Sequence, residues 1–120
     1  MKYLVIIVLV SLAVLSGCYY DDPDVLDPNR LVCDTSIVTY SGSVSPVLMG
    51  NCTSCHSGPN AANNIKLDSR ASVLLVDRAR LLGAINHSPG YSPMPKNGTQ
   101  LNDCSIAKIR IWLDNGAPPN

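Results

Sequence analysis

Apolar positions are spread very unevenly along the chain. Residues 4–15 are almost wholly apolar, with Ser11 and Ala13 the weakest members and Lys2 ahead of them. That run is shorter than the roughly 20 residues a membrane-spanning helix needs. It has the layout of a secretory signal peptide over residues 1–17, an uncleaved N-terminal anchor being the alternative. Residues 18–32 carry four Asp against one Arg, together with Pro23 and Pro28, and read as a solvated tether. The folded domain is expected over residues 33–120, as short helices separated by loops. Ile37-Val38-Thr39-Tyr40 is too short to define a strand and reads as an extended lead-in. Ser45-Pro46 predicts an N-cap with Pro at the first helical position, and Val44 and Met49 fall where a hydrophobic staple would sit. A short helix should therefore run from about Pro46 into Cys52.

Residues 57–64 are rich in Gly, Pro and Asn and predict a loop. Ser69 is placed to cap a second helix through about Val76. A third turn or helix covers residues 78–85, with Gly83 weakening its interior. The apolar residues of this stretch, including Val73, Leu74, Leu75, Val76, Leu81, Leu82 and Ile85, are expected as core or pocket lining. Residues 87–98 form a second loop with Pro89, Gly90, Pro93 and Pro95. The last helix should start near Asn102 or Asp103. Ile106, Ile109 and Leu113 form its i, i+3, i+7 stripe, with Trp112 beside it and Ile111 off the face. Gly116 supplies a stop, and Pro118-Pro119 prevents continuation.

Composition narrows the picture. The 120 residues carry zero formal net charge, which gives no footing for nucleic-acid binding. There is no Phe and one Trp, and a domain this small buries too little apolar surface for comfort. A bound apolar plate would help. Among the carboxylates there is no Glu, and the Asp residues are scattered, so no paired acid–base site is visible and no enzyme is expected.

The five cysteines divide by position. Leu15-Ser16-Gly17-Cys18 resembles the lipobox of bacterial lipoproteins, in which Cys18 would be diacylated and become the mature N-terminus. That would anchor the protein to a membrane of the bacterial envelope, facing the periplasm or the exterior. Cys52-Thr53-Ser54-Cys55-His56 reads C-x-x-C-H, the attachment signal of a haem c. Two thiols spaced this way can each form a thioether with one vinyl group of a single porphyrin, and the adjoining imidazole can bind its iron. The competing readings are a redox dithiol, half of a zinc site, or two structural cysteines. A thioredoxin-like site wants a βαβ context, and a zinc site wants a second ligand pair. Neither is visible, only isolated Cys33, Cys104 and His87.

Taken together, the helix running into C-T-S-C-H, the Ser92-Pro93-Met94-Pro95 loop and the terminal I-R-I-W-L-D-N-G-A segment resemble a class I c-type cytochrome. More narrowly, residues 33–120 look like the small single-haem domains of envelope lipoproteins frequent in Bacteroidetes-like bacteria, which often begin with Cys-Asp-Thr as Cys33-Asp34-Thr35 does. The resemblance implies an all-α, cytochrome c-like fold of three to five short helices around one covalently attached haem. It implies cofactor binding by Cys52, Cys55, His56 and Met94, with His56 and Met94 on the iron. It also implies that the terminal helix packs on the first. With the oxidising compartment, this suggests a Cys33–Cys104 disulfide, two free buried thiols being the alternative. The span from His56 to Met94 is short for the class, which implies a trimmed loop and a more exposed haem.

His87 and Met49 are rivals to Met94 as sixth ligand. Pro93 and Pro95 favour Met94 by stiffening its loop. Arg70, Arg78 and Arg80 read as a solvated face, with a haem propionate partner among them as the lesser alternative. The expected function is electron transfer with a redox partner protein in the envelope or membrane. The alternatives are a haem-based ligand sensor or peroxidase-like enzyme with a displaceable sixth ligand, and a haem-free structural lipoprotein. Residues 33–120 hold seven Lys/Arg against five Asp, too even a balance to predict a charged docking partner.

Overall fold

The structure, a computed structural model, describes residues 33–120. The signal peptide, Cys18 and the tether lie outside the described residues. Cys33–Asn120 forms one compact unit. Among the described residues its regular elements are all helical, without strands. A π-helical turn, Tyr40–Val44, runs directly into helix α1, Ser45–Asn51. A single 3₁₀ turn, Ala62–Asn64, follows the Cys52–His56 segment. Helices α2 (Arg70–Leu74), α3 (Arg78–Ile85) and α4 (Asp103–Asp114) complete the fold.

The first helix begins earlier than its proline suggests. Thr39, not Ser45, is the cap: its hydroxyl accepts the Gly42 N–H at 3.1 Å. Ser45 already has helical backbone angles. Pro46 has no N–H, and its ring crowds the carbonyl four residues back. The wide π turn just ahead of it, closed by the Ser45 N–H on the Tyr40 carbonyl, carries the helix past that point. The expected staple does not form, because Val44 is fully buried while Met49 is 69% exposed.

The later caps match the sequence pattern more closely. Ser69 accepts from the Ser72 N–H, Asp77 from Arg80 and Asn102 from Ser105. Helix α2 stops at Leu74, short of Val76. Leu74 and Leu75, expected inside, are 44% and 88% exposed. On α4 the buried positions are Ile106, Ile109 and Trp112; Leu113 is only partly buried. Trp112 displaces Leu113 because it is the larger apolar surface and its Nε1–H finds the Pro118 carbonyl at 2.8 Å. That bond depends on the chain turning back after α4. Gly116 takes φ +78°, and the Ala117 N–H returns to the Trp112 carbonyl at 2.8 Å, which caps the helix end.

Trp112, Leu48, Ile109, Val44 and Val73 are the largest fully buried side chains. The Tyr40 ring packs against Trp112 with centroids 5.5 Å apart, joining the π turn to α4. Cys33 and Cys104 are disulfide-bonded, with Cα atoms 5.4 Å apart, fixing the start of the unit to the first turn of α4. At the other end, the Ser41 N–H and hydroxyl both donate to Asn120 Oδ1. No helix among the described residues is long and apolar enough to cross a membrane.

Candidate functional site

A cleft of about 860 Å³ lies beside this core, within the ~300–1,000 Å³ span of small-molecule and cofactor sites. Its walls are mainly aliphatic: Ile65, Leu67, Val76, Leu81, Ala84, Ile85 and Leu101. Cys52, Cys55, His56 and Met94 all line it. The two cysteines follow directly from α1, whose last turn receives the Cys52 N–H on the Leu48 carbonyl at 2.8 Å. Cys52 is partly buried and Cys55 exposed. Burial pushes the Cys52 thiol up to about 11, whereas a redox-active dithiol needs a lowered value. Among the described residues no three His, Cys, Asp or Glu side chains gather as metal ligands. Within residues 33–120, then, no further ligand pair of a zinc site stands beside the motif.

His56 is the one buried polar residue of the described core, 8% exposed. Its Nδ1 lies 3.0 Å from the Ile65 carbonyl oxygen. A carbonyl only accepts, so Nδ1 is the donor in this contact, and in the neutral ring Nε2 is the nitrogen that carries the lone pair. The loop that supplies the carbonyl is folded back onto the motif. The Ala62 N–H donates to the Cys55 carbonyl at 2.9 Å, and the Leu67 N–H to the His56 carbonyl at 2.8 Å. Left-handed Gly58, Asn63 and Asn64 make the tight path possible. Asp68 accepts the Gly58 N–H and the Ser72 hydroxyl, and these bonds, Gly58's first, hold its carboxyl below the ordinary value. The backbone partner of His56 was not legible beforehand. The Gly-, Asn-rich composition signalled a loop but not which carbonyl it would turn inward.

Met94 is partly buried on the second loop and lines the same cleft. Its N–H donates to the Ala84 carbonyl of α3 at 3.0 Å, and its peptide bond to Pro95 is cis. The two rivals lie elsewhere. Met49 is on the exposed face of α1. His87 does not line the cleft; its Nε2 meets the Met94 carbonyl at 3.1 Å. The arginines also separate. The Arg70 Nε–H donates to the Ala117 carbonyl at 2.8 Å, and Arg78 pairs with Asp114. Arg80 lines the cleft together with Lys96. Tyr91, another lining residue that sequence reasoning did not single out, packs its ring on Gly83 of α3.

The donor set fits a haem c. Two cysteines, a histidine whose Nδ1 is engaged and a methionine line an aliphatic cleft that also has two cationic side chains in its lining. No family model matches this chain, and no curated protein or solved structure does.

Proposed function

We propose that this protein is a lipid-anchored, single-haem electron carrier of the bacterial envelope, with a class I cytochrome c-like domain over residues 33–120. Cys52 and Cys55 would hold the porphyrin as thioethers, His56 would ligate the iron through Nε2, and Met94 would supply the sixth ligand. The observation that carries this reading is that these four side chains line one cleft while the Ile65 carbonyl fixes the His56 tautomer. When bound, the haem would supply a one-electron ferric/ferrous couple. The chain's own part is to exclude water with its aliphatic walls, to fix both ligands, and to offset the propionates with Arg80 and Lys96.

With His56 and Met94 both holding it, a haem iron would favour the ferrous state and would offer no open position for oxygen or peroxide chemistry, which argues for electron transfer over catalysis. The test is expression in a host with cytochrome c maturation. Haem stain should survive denaturing electrophoresis and vanish in the Cys52→Ser/Cys55→Ser variant. Carbon monoxide should leave the ferrous spectrum unchanged. Stain-free protein would refute haem attachment, and a large carbon monoxide response would refute the saturated iron.

A further inference from the structure

His87 and Met94 belong to one loop, and the loop is held to α3 at several points. The Ser88 N–H donates to the Gly83 carbonyl at 2.9 Å, and the Met94 N–H to the Ala84 carbonyl at 3.0 Å. Between them the Tyr91 ring lies on the bare Cα of Gly83. These contacts fix one side of the Met94 peptide. The other side, its carbonyl, is met by His87 Nε2 at 3.1 Å. A carbonyl only accepts, so Nε2 carries the proton and His87 is the donor. The His87 backbone stands at φ +52°, a left-handed position that His tolerates better than branched residues do, and the imidazole spans the loop from there.

We propose that His87 is the positioning residue for Met94, its Nε2–H clamping the Met94 carbonyl so that the thioether stays directed into the cleft. This rests on the proposed haem ligation by Met94. It assigns the second histidine a task distinct from ligation: without the clamp the Ser88 and Met94 N–H bonds and the Tyr91 packing still hold the loop to α3, but the Met94 carbonyl loses its hydrogen bond. The sixth ligand should then be easier to displace, while the fold, whose core lies elsewhere, is unaffected.

The experiment compares wild type, His87→Ala and His87→Gln as ferric holoproteins titrated with imidazole, with the near-infrared sulfur-to-iron band as readout. Ala and Gln have the same difficulty with a left-handed backbone, but only Gln restores an N–H donor of similar reach. His87→Ala should bind imidazole about five- to tenfold more tightly, the effect of one hydrogen bond. His87→Gln should return to within about twofold of wild type. All three should show the band before titration and unfold within a few degrees of one another. Equal affinity in wild type and His87→Ala, with the band intact, would overturn the positioning role alone. An Ala variant and a Gln variant that weaken the site equally would do the same. A wild-type spectrum without the sulfur band would overturn both the positioning role and the Met94 ligation beneath it.

Discussion

Two glycines in helices give opposite expectations, and their contrast tests how the Met94 loop is seated. A Cβ added at Gly50 in α1 would meet nothing within 4 Å. A Cβ at Gly83 in α3 would collide with Tyr91 Cδ2 and sit 2.5 Å from its Cγ. Ordinary contact begins near 3.4 Å, so the ring would have to retreat by about 1 Å, well beyond side-chain give. The Cγ atom is close to the backbone, so a change of the outer torsion does not clear it. Replacing helical Gly by Ala contributes about 0.4–1 kcal/mol of stability through backbone entropy. Overpacking costs typically about 1–3 kcal/mol. Gly50→Ala should therefore stabilise by about 0.4–1 kcal/mol, and Gly83→Ala should be neutral or destabilise by up to about 2.6 kcal/mol. Urea unfolding of the purified holoproteins, followed by far-ultraviolet circular dichroism, resolves that difference. Gly83→Ala should also loosen Met94 and strengthen imidazole binding, which Gly50→Ala should not. Equal stabilisation by both substitutions would refute the Tyr91–Gly83 packing and the seat it gives the loop.

Replacing Cys33 and Cys104 by Ser together opens a loop with a sequence separation of 71, and in the chain-entropy model this should cost about 4 kcal/mol; a loss under about 1 kcal/mol by denaturant unfolding would contradict it. The Asp68 carboxyl is held below its ordinary 3.8. Its support of the motif loop should thus be full above that pH and fade as pH falls through the lower folded-state value. The Gly58 amide shift, followed by nuclear magnetic resonance, should titrate with a midpoint below 3.8, and an absent or higher midpoint would count against the bond. Cys18→Ser should release the protein into the soluble fraction or block its processing, and a mature N-terminus elsewhere without lipid would dismiss the anchor.

What could be read beforehand followed from local chemistry. Ser69 and Asn102 cap because a short polar side chain before an apolar run has orphan N–H groups to meet. The Gly116-Ala117-Pro118 stop needs little beyond backbone sterics. The C-x-x-C-H motif and the Pro-Met-Pro segment are local patterns too, and the structure brings Cys52, Cys55, His56 and Met94 to one cleft. The misses came where distant residues decide. Val44 and Met49 have the spacing of a staple, but the π turn rotates Met49 to solvent. Leu74 and Leu75 look like core in an apolar run, yet α2 ends there and turns them outward. The Ile65 carbonyl partner of His56, the Tyr91 seat on Gly83 and the His87 clamp are contacts across loops, which hydrophobic periodicity does not encode. The division of the three arginines likewise depends on where Ala117, Asp114 and the cleft come to lie.

Val44, Leu48, Val73, Ile109 and Trp112 are the most deeply buried side chains, and none of them lines the cleft. The cleft takes its walls instead from residues such as Ile65, Val76 and Ala84, with Leu67, Leu81, Ile85 and Leu101 shared between the two interiors. On the proposed haem reading, then, the deepest contacts of the scaffold are made without the porphyrin, and Cys52 and Cys55 follow directly from a helix seated in that interior. The same separation bears on descent. Substitutions at the five deepest positions would answer to folding alone, and on the proposed haem reading those at Ala84 would answer to redox tuning, whereas Leu67, Leu81, Ile85 and Leu101, together with the core-packed Ile65 and Val76, would answer to both.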